Sequence, residues 1–171
     1  MRELFLDFLD FFELGGPVLS VIIVVSVILW ILILERYWYF RRTFPAKRMQ
    51  IAEQWQRRND HTSWYALRLR EGLLSELSVS LRQNLLLIQA LIAILPLLGL
   101  LGTVTGMIAI FEVLNVFGTG NPRGMASGIS RALLPTTAGL ATSLIGMFFA
   151  SDITNRASKL DDSARDLLIP S

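Results

Sequence analysis

The chain has 171 residues, 53% of them apolar, and a mean hydropathy of +0.51, which exceeds what a soluble core of that size requires. Its 16 basic and 14 acidic residues leave a formal charge of +2, and the bases of its most cationic stretch are interleaved with Glu53, Asp60, Glu71 and Glu76, which argues against a nucleic-acid surface. No cysteine is present, so disulfide frameworks and thiolate metal sites are excluded.

In chain order, residues 1–16 come first. Glu3, Asp7, Asp10 and Glu13 recur at helical spacing opposite Phe5, Phe8, Leu9 and Phe12, a pattern that predicts a periplasmic amphipathic helix lying in the membrane interface. The single Arg2 and the lack of an Ala-x-Ala site do not fit a signal peptide. Gly15-Gly16-Pro17 then turns the chain into a first transmembrane helix over residues 17–40, whose Pro17–Leu34 stretch carries no charge and nearly matches a hydrocarbon core of about 30 Å. Trp30, Tyr37, Trp38 and Tyr39 gather at one edge of it, as aromatic residues do at headgroup level.

Residues 41–84 follow as a helical stalk. Ten basic residues lie between Glu35 and Arg82 against one in the N-terminal segment, which predicts a cytoplasmic stalk, a periplasmic N-terminus and a cytoplasmic C-terminus. One stalk helix is expected from about Pro45 to Arg58. A second starts near Thr62–Ser63, with Asn59-Asp60-His61 supplying turn and N-cap chemistry and His61 itself a surface residue. Leu74, Leu77, Leu81, Leu85 and Ile88 step by three and four, so the second stalk helix is expected to run without a break into the next span.

That second transmembrane helix covers residues 85–117, a periplasmic loop residues 118–128, a third transmembrane helix residues 129–151 and a cytoplasmic tail residues 152–171. No titratable residue lies between Asn84 and Phe111 or between Ala132 and Ser151, and Glu112 and Arg131 sit at the outer helix ends. Gly99, Gly102, Gly106 and Ala109 form a small face on the second span, with Thr103 beside it. Ala132, Thr136, Gly139, Ser143, Gly146 and Ala150 form one along the third. Such faces serve close helix packing, a pore wall, or both.

The segment Leu95-Pro96-Leu97-Leu98-Gly99-Leu100-Leu101-Gly102-Thr103-Val104-Thr105-Gly106-Met107, with Gly128-Ile129-Ser130-Arg131-Ala132-Leu133-Leu134-Pro135-Thr136-Thr137-Ala138-Gly139-Leu140, resembles the paired motif of the ExbB/TolQ/MotA proton-channel family. Three spans and a short chain place it nearest ExbB. The resemblance implies an all-α membrane fold assembled as a homo-oligomeric ring, a pentamer. An ExbD-like single-span subunit would supply a membrane aspartate, and a TonB-like protein would carry proton-motive work to outer-membrane transport. No cofactor, metal or covalent catalysis is implied.

Carried over residue by residue, the family's pore threonines fall on Thr103 and Thr136, with hydroxyls that would meet the partner's aspartate or its water. Gly99, Gly102, Gly106, Ala132, Gly139, Ser143 and Gly146 would form the pore-facing small and polar stripe, and Arg131 the pore mouth. Two departures stand out. Arg131 replaces the family's Glu, and Pro135 precedes Thr136, either kinking the third helix and freeing a carbonyl near Arg131 or marking a helix start, where proline is tolerated. A TolQ-like subunit for envelope maintenance and a non-conducting membrane scaffold stay open as alternatives.

Overall fold

The computed structural model describes residues 2–57, 60, 63–117 and 122–167, with the side chains of 2–15, 116, 117, 122–124, 127 and 167 excepted. Every extended element among them is helical: α1 (Arg2–Trp38), a π-helical turn (Tyr39–Thr43), α2 (Phe44–Gln56), α3 (Trp64–Arg82), α4 (Leu85–Phe117) and α5 (Pro122–Leu167). Three helical stretches, Gly16–Gln56, Trp64–Asn115 and Gly128–Asp166, are long and apolar enough to cross a bilayer. This is the all-α, three-span membrane fold that hydropathy predicts.

The local chemistry explains most boundaries. Inside α1, Gly16 takes φ 67° and ψ −173°, a region that only glycine occupies comfortably, so the expected turn before Pro17 is present as a kink between two helical stretches. The faces of the N-terminal amphipathic stretch fall on side chains outside the described residues. At the start of α3, the Ser63 hydroxyl accepts from the Ala66 amide at 3.2 Å while the Ser63 amide donates to Asp60 Oδ1 at 3.0 Å. The helix therefore starts where expected, but the N-cap is Ser63 itself, with Asp60 of the preceding Asn59-Asp60-His61 segment supporting it from outside. Asn59, His61 and Thr62 lie outside the described residues.

Three expectations require correction. First, the stalk helix does not start afresh at Pro45: the π-helical turn links α1 to α2 directly, and Pro45 is the second residue of α2. Second, α3 does not run unbroken into α4. Gln83 is extended (φ −54°, ψ 140°) and Asn84 is left-handed (φ 62°), a conformation that asparagine tolerates better than other non-glycine residues. The apolar stripe is nonetheless continuous, since Leu74, Leu77, Leu81, Leu85 and Ile88 are all buried on either side of the break. Third, α5 begins at Pro122, so residues 122–128 of the expected loop are helical; residues 118–121 lie outside the described set.

The chain divides into two compact units. The first comprises Met1–Trp30 and Gln89–Met147 and packs α4 against α5, with Leu19, Ile22 and Leu29 of α1 buried. The second comprises Ile31–Ile88 and Phe148–Ser171. Its apolar core holds Phe44, Ile51 and Trp55 from α2 together with the leucine stripe of α3, and Lys47 pairs with Glu76 across α2 and α3 at 3.0 Å. On α5 the buried stripe is Ala150, Ile153, Ala157, Asp161 and Ala164. Tyr37 donates to Asp152, which also takes Arg156 Nε at 2.7 Å.

Arg36 is the notable member of this second unit. Composition alone reads it as one more inside-flanking cation, yet it is only 1% exposed. Its Nη1 donates to the Ser80 carbonyl at 3.2 Å, and its guanidinium lies over the Tyr39 ring at 5.1 Å. Its Nε is 3.0 Å from Glu35 Oε2 without being aligned for a hydrogen bond, so that contact is an ion pair only.

Candidate conduction surface

The small residues of α4 and α5 meet each other. A β-carbon at Gly99 would lie 2.9 Å from Thr136 Cα, one at Gly106 would lie 2.7 Å from Ala132 Cβ, and one at Gly102 would collide with the Pro135 ring. Gly139 lies against the Leu95 carbonyl, and a β-carbon at Gly146 would be 3.2 Å from Ile92. As the residue number on α4 falls, that on α5 rises, so the helices are antiparallel. The seam from Gly106 to Ile92 and from Ala132 to Gly146 extends over fourteen steps on each helix, about 21 Å at 1.5 Å per residue, most of a hydrocarbon core of about 30 Å.

Two hydroxyls stitch this seam. Thr136 Oγ1 donates to the Gly99 carbonyl at 2.7 Å, and Ser143 Oγ donates to the Ile92 carbonyl at 2.9 Å. The second bond has a clear cause. In an unbroken helix the Ile92 carbonyl would accept from the amide of residue 96, but that residue is Pro96 and has no N–H. Ser143 supplies the missing donor from the neighbouring helix, which matters where no water is available to do so.

The stripe assigned to a pore from the sequence is thus engaged in packing within the chain. Gly99, Gly102, Gly139, Gly146 and Ala132 are buried, Gly106 and Ser143 are half-buried, and Thr136 is half-buried with its hydroxyl committed to α4. Thr103 stands apart from this group. It is half-buried and its hydroxyl bonds only its own helix, at the Leu100 carbonyl 2.7 Å away. Arg131 is exposed, nine residues into α5. Pro135 is buried in the interior of that helix, which removes the reading of it as a helix start; its ring fills the space over Gly102 and it has no amide to offer the Arg131 carbonyl.

Two further hydroxyls lie in the same motifs. Thr105 and Thr137 are exposed, each bonded to carbonyls of its own helix, Leu101 at 2.9 Å and Leu134 at 2.9 Å respectively. Both lie inside the quoted motifs, one or two residues from the selected threonines; Thr137 falls on the side of α5 away from its small stripe, whereas Thr105 flanks the α4 stripe on the side opposite Thr103. Among the described residues no group of three or more His, Asp or Glu is placed to hold a metal ion.

Residues 41–165 match the model of the MotA/TolQ/ExbB proton channel family. The chain belongs to that family. Individual relatives agree. A Synechocystis protein named ExbB-like 1 is 45% identical over 64 residues, 36% of this chain and 25% of that protein. A second Synechocystis protein, named ExbB-like 3, is 36% identical over 89 residues, 51% of this chain and 42% of its own length. A Methanothermobacter thermautotrophicus protein named ExbB homolog is 42% identical over 69 residues, 40% of this chain and 24% of that protein. The alignments span less than half the length of each relative. As a family member the protein is a multi-pass membrane protein related to proton channels.

Proposed function

We propose that this protein is the wall-forming subunit of a proton channel in the bacterial inner membrane, working as ExbB does: copies assemble into a ring, five by family resemblance, around an ExbD-like single-span partner. The observation that carries the reading is the pairing of family membership with two spans that bear hydroxyls and no titratable group. Protons at membrane depth are relayed by carboxylates, so the acid must come from the partner, and the chain provides hydrogen-bonding walls for it. Of the two threonines that the family resemblance selects, Thr103 is the better suited to meet that aspartate, because its hydroxyl is bonded within its own helix whereas that of Thr136 is committed to α4. Thr136 and the small stripe hold α4 and α5 together behind it, and Arg131 adds a fixed positive charge at the pore mouth. The N-terminus is periplasmic, the stalk and C-terminus cytoplasmic, and a TonB-like protein receives the work.

The test is proton-driven uptake through a TonB-dependent receptor with ring assembly followed in parallel. Thr103→Val and Thr136→Val each reduce uptake to near background while the partner still co-purifies, and Thr136→Ser restores it. Full uptake in both valine variants sinks the channel reading. A non-conducting scaffold draws support from the commitment of Thr136 and Ser143 to α4 carbonyls. It predicts normal uptake for Thr103→Val, which leaves the seam untouched.

A further inference from the structure

The break between α3 and α4 is built around a single carbonyl oxygen. In a continuous helix the Ser80 carbonyl would accept from the amide of Asn84, four residues on. The extended Gln83 and left-handed Asn84 take that amide away, and the first amide of α4 to return to a helical acceptor is that of Ile88, which bonds the Asn84 carbonyl at 3.0 Å. Arg36, arriving from α1, donates to Ser80 O instead. Its buried cation also sits at the C-terminal end of α3, where the helix dipole is negative, and beside Glu35 and the Tyr39 ring. These contacts account for an otherwise costly buried charge.

We propose that Arg36 and Asn84 form a two-state joint between the stalk and the second span, in which the Arg36 guanidinium and the Asn84 amide compete for Ser80 O. In the state seen here Arg36 holds the carbonyl and α3 and α4 are separate helices. In the other state Asn84 becomes right-handed, its amide takes Ser80 O, the amides of Leu85, Leu86 and Leu87 take Leu81, Arg82 and Gln83, and α3 and α4 become one rod. The apolar pattern does not forbid the change, because a four-residue spacing sets Leu81 and Leu85, both buried in the broken state, on one face of a continuous helix. Nor does an amino-acid barrier lie in the way: residues 80–88 contain neither proline nor glycine. Asn84 is the one non-glycine residue with positive φ among those described, and asparagine is the side chain that makes both states accessible. Arg36 is thus a positioning residue for the stalk rather than a member of the conduction path, and the inference does not rest on the channel reading.

Hydrogen–deuterium exchange of the full-length protein in bilayer nanodiscs reads the joint directly. In wild type the amides of Asn84, Leu85, Leu86 and Leu87 exchange faster than those of the flanking turns. Asn84→Ala, which disfavours the left-handed state, slows them at least tenfold, whereas Asn84→Gly, which accepts it, leaves them at wild-type rates. Arg36→Met distinguishes a competitor from a plain cap: a competitor's loss lets Asn84 claim Ser80 O and slows the same four amides. Faster exchange in Arg36→Met, as from a frayed helix end, would overturn the proposal, and so would unchanged rates in Asn84→Ala.

Discussion

The two units of this chain hold together by opposite means. In the first, α4 and α5 approach through residues with almost no side chain, and the specific contacts are hydroxyl-to-carbonyl bonds from Thr136 and Ser143. In the second, bulk is the adhesive: Phe44, Ile51, Trp55 and the leucine stripe are buried, and the polar contacts are ion pairs and an arginine cap. Such a difference is what lipid around one unit and water around the other would produce. Lipid tails give apolar side chains no reason to prefer protein over surroundings, so backbone proximity and hydrogen bonds do the holding. Water around a stalk drives large apolar groups together.

This contrast makes the two units fail in opposite directions. Removing volume breaks the stalk: Trp55→Ala, at a position 3% exposed, lowers stability by about 3–5 kcal/mol and melts α2 and α3 first, as followed by denaturation with a probe on α2. Adding volume breaks the seam. Gly139→Val drives a branched side chain into the Leu95 carbonyl and costs about 1–3 kcal/mol or more, seen as loss of thermal stability in detergent, while the equivalent change at exposed Gly72, where a β-carbon meets nothing within 4 Å, has less than half that effect. Smaller again is Ser143→Ala, at about 1 kcal/mol. Its cost falls toward zero in a Pro96→Ala background, because the restored residue-96 amide satisfies the Ile92 carbonyl; equal costs in both backgrounds would show that Ser143 acts by packing instead.

Much of this architecture is legible in the sequence, for identifiable reasons. The spans are visible because the bilayer demands long uncharged runs, and the α3 start because Asp60 and Ser63 are capping residues at the right spacing. The break at Gln83–Asn84 is not visible, because it leaves the leucine period intact and a lone asparagine in a helical pattern carries no signal of its own. Arg36 is hidden for a different reason: charge counting places cations on the inner flank but says nothing of which one is buried. The small faces of α4 and α5 are apparent from spacing alone, yet spacing does not name their partner. That they face each other, with the Pro135 ring against Gly102, depends on a pairing between residues far apart in sequence, from Gly106 with Ala132 to Ile92 with Gly146.

Pro96 has one more consequence, for alignment along the membrane normal. A seam of small residues repeated at every turn is nearly degenerate: sliding α5 by one turn, about 5.4 Å, again sets small residues opposite small residues. The carbonyl of Ile92 has no such periodicity, since Pro96 is the single proline in α4. Its bond from Ser143 can form at one vertical offset and is lost at the next. A residue usually regarded as a helix breaker here acts as an index mark, selecting one depth of α5 against α4 from a ladder of near-equivalent ones.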